Sequence, residues 1–322
     1  MRGLVVVWFL VFVAAAPVSA NDSTAQLGAG GLELVRNDKI DLLTEDLYIS
    51  ADKVKVTYHF RNHTDAPVTY LVAFPLPPID ATVPDDMNIV LPNGSSPNFV
   101  NFAVTVDGKP VDFATQSRAI SMGVDRSAEL QKHNLPLNPI ADGLYERLRD
   151  MPADERDELN RLGLLLVDEY NTFASWILET TFYWEQTFPP GEDVVIEHEY
   201  KPVIGFGFFG SYLLDDADYK KTYCIDSDFD AAARKKLAAI ANTDNPYMNE
   251  TRISYILTTA NNWSGPIGKF HLVVDKGYTG GLVSFCGTGV KKISPTEFEM
   301  TATDFTPDRE LEILLATPGP NQ

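Results

Sequence analysis

From about residue 30 onward the chain alternates apolar and polar positions with a period of two. In KVKVTYHF, Val54, Val56, Tyr58 and Phe60 fall on one side; Lys53, Lys55, Thr57 and His59 fall on the other. That pattern predicts a strand with one buried face. Asn62, Asp65 and Pro67 then supply turn residues, and VTYLVAF (Val68 to Phe74) predicts a return strand, so the two segments are expected to form a hairpin. Proline cannot donate to a ladder, so pairing should stop at Pro75. FVNFAVTV (Phe99 to Val106) predicts another strand, turned by Asp107-Gly108. WILETTFYWEQTF (Trp176 to Phe188) and DVVIEHEYKPV, joined by Pro189-Pro190-Gly191, predict a second hairpin. Setting Phe188 opposite Val194 puts Trp184 across from His198 and Phe182 across from Tyr200. The other face then carries Glu185 opposite Glu197 and Tyr183 opposite Glu199. Strands resume in ISYILTTA, KFHLVVD, LVSFC, EFEMTA and ELEILLA.

The period changes between Ser117 and about Tyr170. Ile140, Leu144 and Leu148 share a helical face, and Pro152 followed by Asp154 and Glu155 suits a helix start that Gly163 would end. A further helix is expected over about 227–241, with acidic residues first and basic ones further in. The expected fold is mainly β: two antiparallel β-sandwich-like parts, residues 21–205 and 206–322. The first part carries the helical insertion at about 117–170.

Residues 1–20 read as a secretory signal peptide. Arg2 precedes the apolar run Leu4 to Ala16, Pro17 breaks it, and Val18-Ser19-Ala20 offers small residues for cleavage before Asn21. The run is short for a membrane span, so no span is expected after cleavage, and the expected location is the periplasm or the outside of the cell. Net charge is −19 and becomes one unit more negative without Arg2. So acidic a surface repels phosphate backbones, which argues against nucleic acid as a partner. The two cysteines, Cys224 and Cys286, form one disulfide in the simplest reading for an oxidising compartment.

Several segments, taken in order, resemble a family of secreted bacterial proteins of unknown function. They are NDSTAQLGAGGLEL, TEDLYIS, VTYHFRN, VAFPLP, QTFPPGEDVVIEHEYKPVIG, NNWSGPIGKFHLVVDKG and LVSFCGTGVKKISPTEFE. The resemblance implies an exported, periplasmic protein. It implies no activity and supplies no catalytic residues. A weaker likeness, through FPLP and the DGKPV turn, is to β-sandwich modules and bears on architecture alone.

GFGFFG (Gly205 to Gly210) has the spacing of a dinucleotide-binding turn. Such a turn must open a helix, whereas Phe206, Phe208 and Phe209 crowd this one and SYLLDDAD follows without a clear helical run. No cofactor is expected; the phenylalanines either pack between sheets or display a partner loop. Asp226, Asp228 and Asp230 have the opening spacing of a calcium loop, but Ala231 and Leu237 stand where glycine and glutamate are required. Helix capping accounts for them, and a calcium site using Asp215, Asp216 and Asp218 stays open as an alternative. The scattered histidines lack carboxylates or cysteines at ligand spacing, so no metal site is assigned. Glu185, Glu197 and Glu199 beside aromatics are the candidate catalytic carboxylates, because paired carboxylates suit glycoside hydrolysis. The sequence therefore favours a non-enzymatic binding or structural module with a protein or glycan partner. A carbohydrate-active hydrolase is the alternative.

Overall fold

A computed structural model describes residues 21–28, 31–83, 88–94, 96–243 and 246–319. The signal-peptide reading of residues 1–20 lies outside them. The longer strands are β1 (Ser23–Gly28), β2 (Gly31–Val35), β3 (Ile40–Ile49), β4 (Val54–Asn62), β5 (Val68–Pro75), β6 (Ala103–Val106), β7 (Ala114–Ser121) and β8 (Ile177–Phe188). There follow β9 (Asp193–Tyr200), β10 (Ile204–Phe209), β11 (Met248–Tyr255), β12 (Ile267–Asp275), β13 (Leu282–Phe285), β14 (Glu297–Phe305) and β15 (Leu311–Pro318). The helices are α1 (Ser127–Lys132), α2 (Leu144–Arg149), α3 (Ala153–Arg161), α4 (Ala217–Thr222) and α5 (Ser227–Ile240). None of the described helices is long and apolar enough to cross a membrane.

The strands build three main sheets. Sheet I runs β7-β8-β5-β1-β2, sheet II runs β14-β12-β3-β4-β9-β6, and sheet III runs β13-β15-β11-β10; two-residue strands extend sheets I and III at one edge and sheet II at both. The alternation in β4 decides the layering. Val54, Val56, Tyr58 and Phe60 are all buried, while Lys53, Lys55, Thr57 and His59 line the outer face of sheet II. Sheets I and III both cover the apolar face, so one core takes side chains from all three. Phe74 of sheet I touches both His198 of sheet II, at 4.8 Å between ring centroids, and Tyr255 of sheet III, at 6.5 Å.

Neither expected hairpin forms. β4 pairs with β3 and β9, while β5 pairs with β1 and β8 in the other sheet. Likewise β8 and β9 lie in different sheets. Each strand has one apolar face, and the chain buries consecutive faces by folding them over one another instead of edge to edge. Trp184 and His198 still meet, with ring centroids 5.4 Å apart, but across the core. Buried Asn62 fastens both corners. Its side-chain amide donates to the carbonyls of Ala66 and Phe188, and its own carbonyl accepts from the Gly191 amide.

The boundary expected near residue 205 does not divide the sheets. β3 pairs in parallel with β12, so sheet II takes strands from both sides of it. β3 carries a bulge between Leu42 and Thr44, and a Cβ on neighbouring Gly268 would stand 2.6 Å from the Leu43 carbonyl oxygen. Glycine is what lets the two strands approach there.

The helical insertion begins later than expected, because residues 117–121 complete β7, of which 117–120 pair with β8. Its helices bury Leu130, Leu144, Leu148 and Leu159 around Trp176, a small core of their own. α4 and α5 cover the outer face of sheet III through Phe229, Ala233 and Leu237 against Phe209, Met248 and Leu314. Cys224, just after α4, is bonded to Cys286, just after β13. α5 matches the expected helix, and Asp226 caps it by accepting from the Phe229 amide. Among the described residues, no α-helix opens directly on the glycine segment: α4 starts only at Ala217, at the end of SYLLDDAD, its six residues are too few to show a period, and Asp216 caps it by accepting from the Asp218 and Tyr219 amides.

Candidate functional site: an aromatic strip and a buried polar knot

GFGFFG is strand β10 and the residue after it. Its residues pair with β11 and with the two-residue strand at Ile89–Val90, so its backbone faces a sheet ladder and not a phosphate. The glycines serve side-chain approach from β11. A Cβ on Gly205 would lie 2.9 Å from Arg252 Nε, and one on Gly207 would lie 3.1 Å from Glu250 Oε2. The alternation splits the three phenylalanines. Phe209 is fully buried beneath α5, whereas Phe206 is 45% exposed and Phe208 60% exposed. Phe209 therefore leaves the candidate contact set, and the aromatic pair sits on a strand instead of a loop.

Phe206 and Phe208 line a groove of about 490 Å³ together with Tyr212, Asn88, Asn249, Glu250 and Arg252. Tyr212, 64% exposed, is held over the strand end by donating its hydroxyl to the Phe208 carbonyl at 2.8 Å. Phe208 packs on Tyr247 with centroids 4.2 Å apart. On the opposite face of sheet III, the face of Gly205, Gly207 and Phe209, Glu250 accepts from the Tyr219 hydroxyl at 2.9 Å and lies 3.5 Å from Arg252 Nε. Burial, with the Glu250 carboxylate second, pushes the Tyr219 phenol well above its usual range, so it stays a donor. Arg252 also lines a second pocket of about 250 Å³, with Pro77, Pro78, Tyr200 and Pro202.

The carboxylate candidates do not assemble. Glu185 is exposed on sheet I, where it lies opposite Leu71 of β5. Glu197 and Glu199 stand on the outer face of sheet II, 3.3 Å from Lys55 Nζ and 3.6 Å from Lys53 Nζ respectively. The face that was to join Glu185 with Glu197 is absent because β8 and β9 are not paired. Exposed ion pairs of this kind contribute at most about 1 kcal/mol each.

A second constellation escaped the sequence reading. Asn21, Asp22, Glu45, Tyr58, His198 and Tyr255 are all buried where the three sheets meet. Asn21 donates its side-chain amide to Glu45 Oε2 at 2.9 Å and accepts from the Tyr58 hydroxyl, which lies 3.0 Å from the Tyr255 hydroxyl. The Asn21 backbone nitrogen donates to Thr259 Oγ1. Trp263 Nε1 donates to the Asp22 carbonyl at 2.5 Å, and Asn262 donates to Ser23 Oγ at 2.9 Å. His198 Nε2 stands 3.5 Å from Asp22 Oδ2, with the rings of Phe74, Phe102, Trp184 and Tyr58 around it. Burial raises Glu45 to about 8, against a smaller lowering by the Asn21 hydrogen bond, and lowers His198 to about 3. Burial first, then the Glu45 charge, carries Asp22 well above the usual carboxylate range. With Asn21 inside a peptide bond, these groups are thus driven towards their uncharged forms.

The bulge in β3 is what brings Glu45 inside, since the extra residue resets the alternation so that Glu45, Leu47 and Ile49 share the inner face. The inward parity of Leu47 and Ile49 was the available signal for Glu45, as was that of Val194, Ile196 and Tyr200 for His198. Among the described residues, no group of three histidine, cysteine or acidic side chains is placed to hold a metal ion.

Residues 20–314 match the family described as a domain of unknown function, DUF4424, and the chain belongs to that family. No curated protein matches the sequence. Among solved structures, the chain is similar to a Legionella pneumophila protein described as a "putative nutrient binding protein". Identity is 14% and the TM-score 0.44, over 92% of this chain and 70% of that one. It is also similar to a Deinococcus radiodurans M1 zinc metallopeptidase mutant bound to a Tyr-Ser-Ala substrate, with 9% identity and a TM-score of 0.27. That match covers 88% of this chain but only 44% of the peptidase.

Proposed function

We propose that this chain is an exported binding module that holds a glycan or protein partner, in the periplasm or outside the cell, through the strip at Phe206, Phe208 and Tyr212. The observation that carries the reading is the exposure of Phe206 and Phe208 on a strand whose next residue, Phe209, is fully buried. Such rings are presented rigidly and lose little conformational freedom on contact. Polar residues beside them, Asn88, Asn249 and Thr251, supply the directional hydrogen bonds that a ring-stacked saccharide or a peptide backbone requires. The −19 net charge favours neutral or cationic partners. Glu185, Glu197 and Glu199 support no hydrolase, being spread over two sheets.

The test is calorimetric titration with a panel of soluble oligosaccharides, beside a pull-down from periplasmic extract. Each is run on the native protein and on the Phe206→Ser/Phe208→Ser double variant. A ligand or partner held by the native protein and lost by the folded variant is the expected result. Equal retention by both would move the binding site elsewhere.

A further inference from the structure

The polar knot holds unpaired acceptors, and His198, whose ring nitrogens are also unpaired, stands 3.5 Å from Asp22 Oδ2. Glu45 Oε1 and both carboxylate oxygens of Asp22 are buried and accept no hydrogen bond among the described residues. Buried carboxylates of this kind are costly unless a cation faces them. Glu45 Oε2 accepts from the side-chain amide of Asn21, and Asp22 is the next residue along the chain, so both carboxylates belong to the immediate neighbours of Asn21. The backbone nitrogen of Asn21 is itself buried and donates to Thr259 Oγ1. It is also the atom on which the leader Val18-Ser19-Ala20 predicts cleavage, and the family match begins at residue 20.

We propose that the knot is a binding site for a primary ammonium, namely the chain's own α-amino group, created at Asn21 when the leader is removed. The inference rests on the export reading above. In the processing step, water adds to the Ala20 carbonyl and the Ala20–Asn21 bond breaks. Ala20 leaves as a carboxylate, and the Asn21 nitrogen takes up the protons to become an ammonium. An amide brings one N–H to this position, already used on Thr259. An ammonium brings three donors and a positive charge. Glu45 and Asp22 then have a cation to ionise against, and maturation tightens the junction of all three sheets.

The experiment compares two full-length mature chains released from a fusion by a protease that leaves no residue behind. One begins at Asn21, and the other carries a single serine in front of it. Each is made with Glu45 and with Glu45→Gln, and unfolded in urea at pH 7. The chain beginning at Asn21 should have a folding equilibrium constant at least tenfold larger than the extended chain. Glu45→Gln should weaken the first and leave the second unchanged or strengthened. If the extended chain does not fold, Glu45→Gln should restore its folding. Equal stability of the two termini, or the same Glu45→Gln effect in both, overturns the ammonium site. Intact mass of the exported protein checks the cleavage separately: a terminus other than Asn21 would overturn the processing step whatever the stabilities show.

Discussion

The knot at Asn21–Asp22 and the strip at Phe206–Phe208 invert the usual placement of side chains: the first buries carboxylates and the second exposes rings. Each inversion carries a free-energy cost, but of different kinds. Buried carboxylates and an imidazole must lose charge or find a partner, so the knot couples fold stability to protonation and, under the proposal above, to the chemistry of a terminus at Asn21. The rings on β10 cost little on the folded side, because isolated exposed apolar groups are common on protein surfaces; their consequence appears on contact with something else. Stability and binding are thus expected to separate by region, and each test below sets one region against the other.

The largest effect belongs beside the knot. Trp263 is fully buried, lies 4.5 Å from the Phe60 ring and donates to Asp22. Trp263→Ala removes packing and a hydrogen bond together and should destabilise by about 4 kcal/mol in urea unfolding. A loss under about 1 kcal/mol would mean that the sheet junction collapses around the gap and that the knot is not a stability centre.

Next is the disulfide, which ties the helix layer to sheet III away from both regions. Replacing Cys224 and Cys286 by serine should cost about 3 kcal/mol. Oligosaccharide or partner binding at the strip should be unchanged in the protein that remains folded. Lost binding there would show that the helix layer, through Phe209 and Tyr219, sets the strip's geometry.

The pH dependence comes third. With a residue ahead of Asn21, Glu45 is raised in the fold to about 8 from an ordinary 4.5. Its contribution to stability is therefore complete below pH 4.5 and is lost as pH rises through about 8, at about 1.4 kcal/mol per pH unit. His198, lowered to about 3, acts at the other end: its contribution is complete above pH 6.5 and is lost as pH falls towards 3. Asp22, raised by burial, adds to the loss on the rising side. Tyr58 and Tyr255 face the same space and stay protonated throughout, since burial raises both phenols. Urea unfolding of the serine-extended chain between pH 6.5 and 8 should show the falling limb, and Glu45→Gln should flatten it. The chain beginning at Asn21 should show a shallower limb until its ammonium loses its own proton.

The same contrast explains what the sequence could reveal. Alternation identified the inner faces of β4, β8 and β9 correctly, because burial imposes parity locally. It could not identify partners, because a strand with one apolar face is equally satisfied beside a neighbour or across from it. Hence Trp184 and His198 were matched as a pair and placed in the wrong relation. Glu45 is out of step with Ile40 and Leu42 because of the bulge at Leu43, and only its parity with Leu47 and Ile49 marks it as inward. The disulfide was legible from compartment chemistry and α5 from its charge order, whereas α4 was too short to carry a period. Of the strip, the sequence named Phe206 and Phe208 but could not separate them from Phe209. That separation needed β10 to be a strand, and the glycine spacing drew attention to a turn.

The smallest stability effect is the most discriminating for the strip. Phe206→Ser and Phe208→Ser remove rings that are about half in water, so each should change unfolding free energy by no more than about 0.5 kcal/mol. Phe209→Ser, one residue along and fully buried against Phe229 and Leu237, should cost several times more. The three substitutions are chemically identical and lie within four residues, so β-propensity lost on β10 largely cancels between them. What remains is which face each ring occupies. If Phe208→Ser proves as damaging as Phe209→Ser, its packing on Tyr247 is part of the core and the strip narrows to Phe206 and Tyr212. If Phe209→Ser is as mild as the other two, the helix layer does not depend on sheet III, and the rigidity on which the binding reading rests is lost.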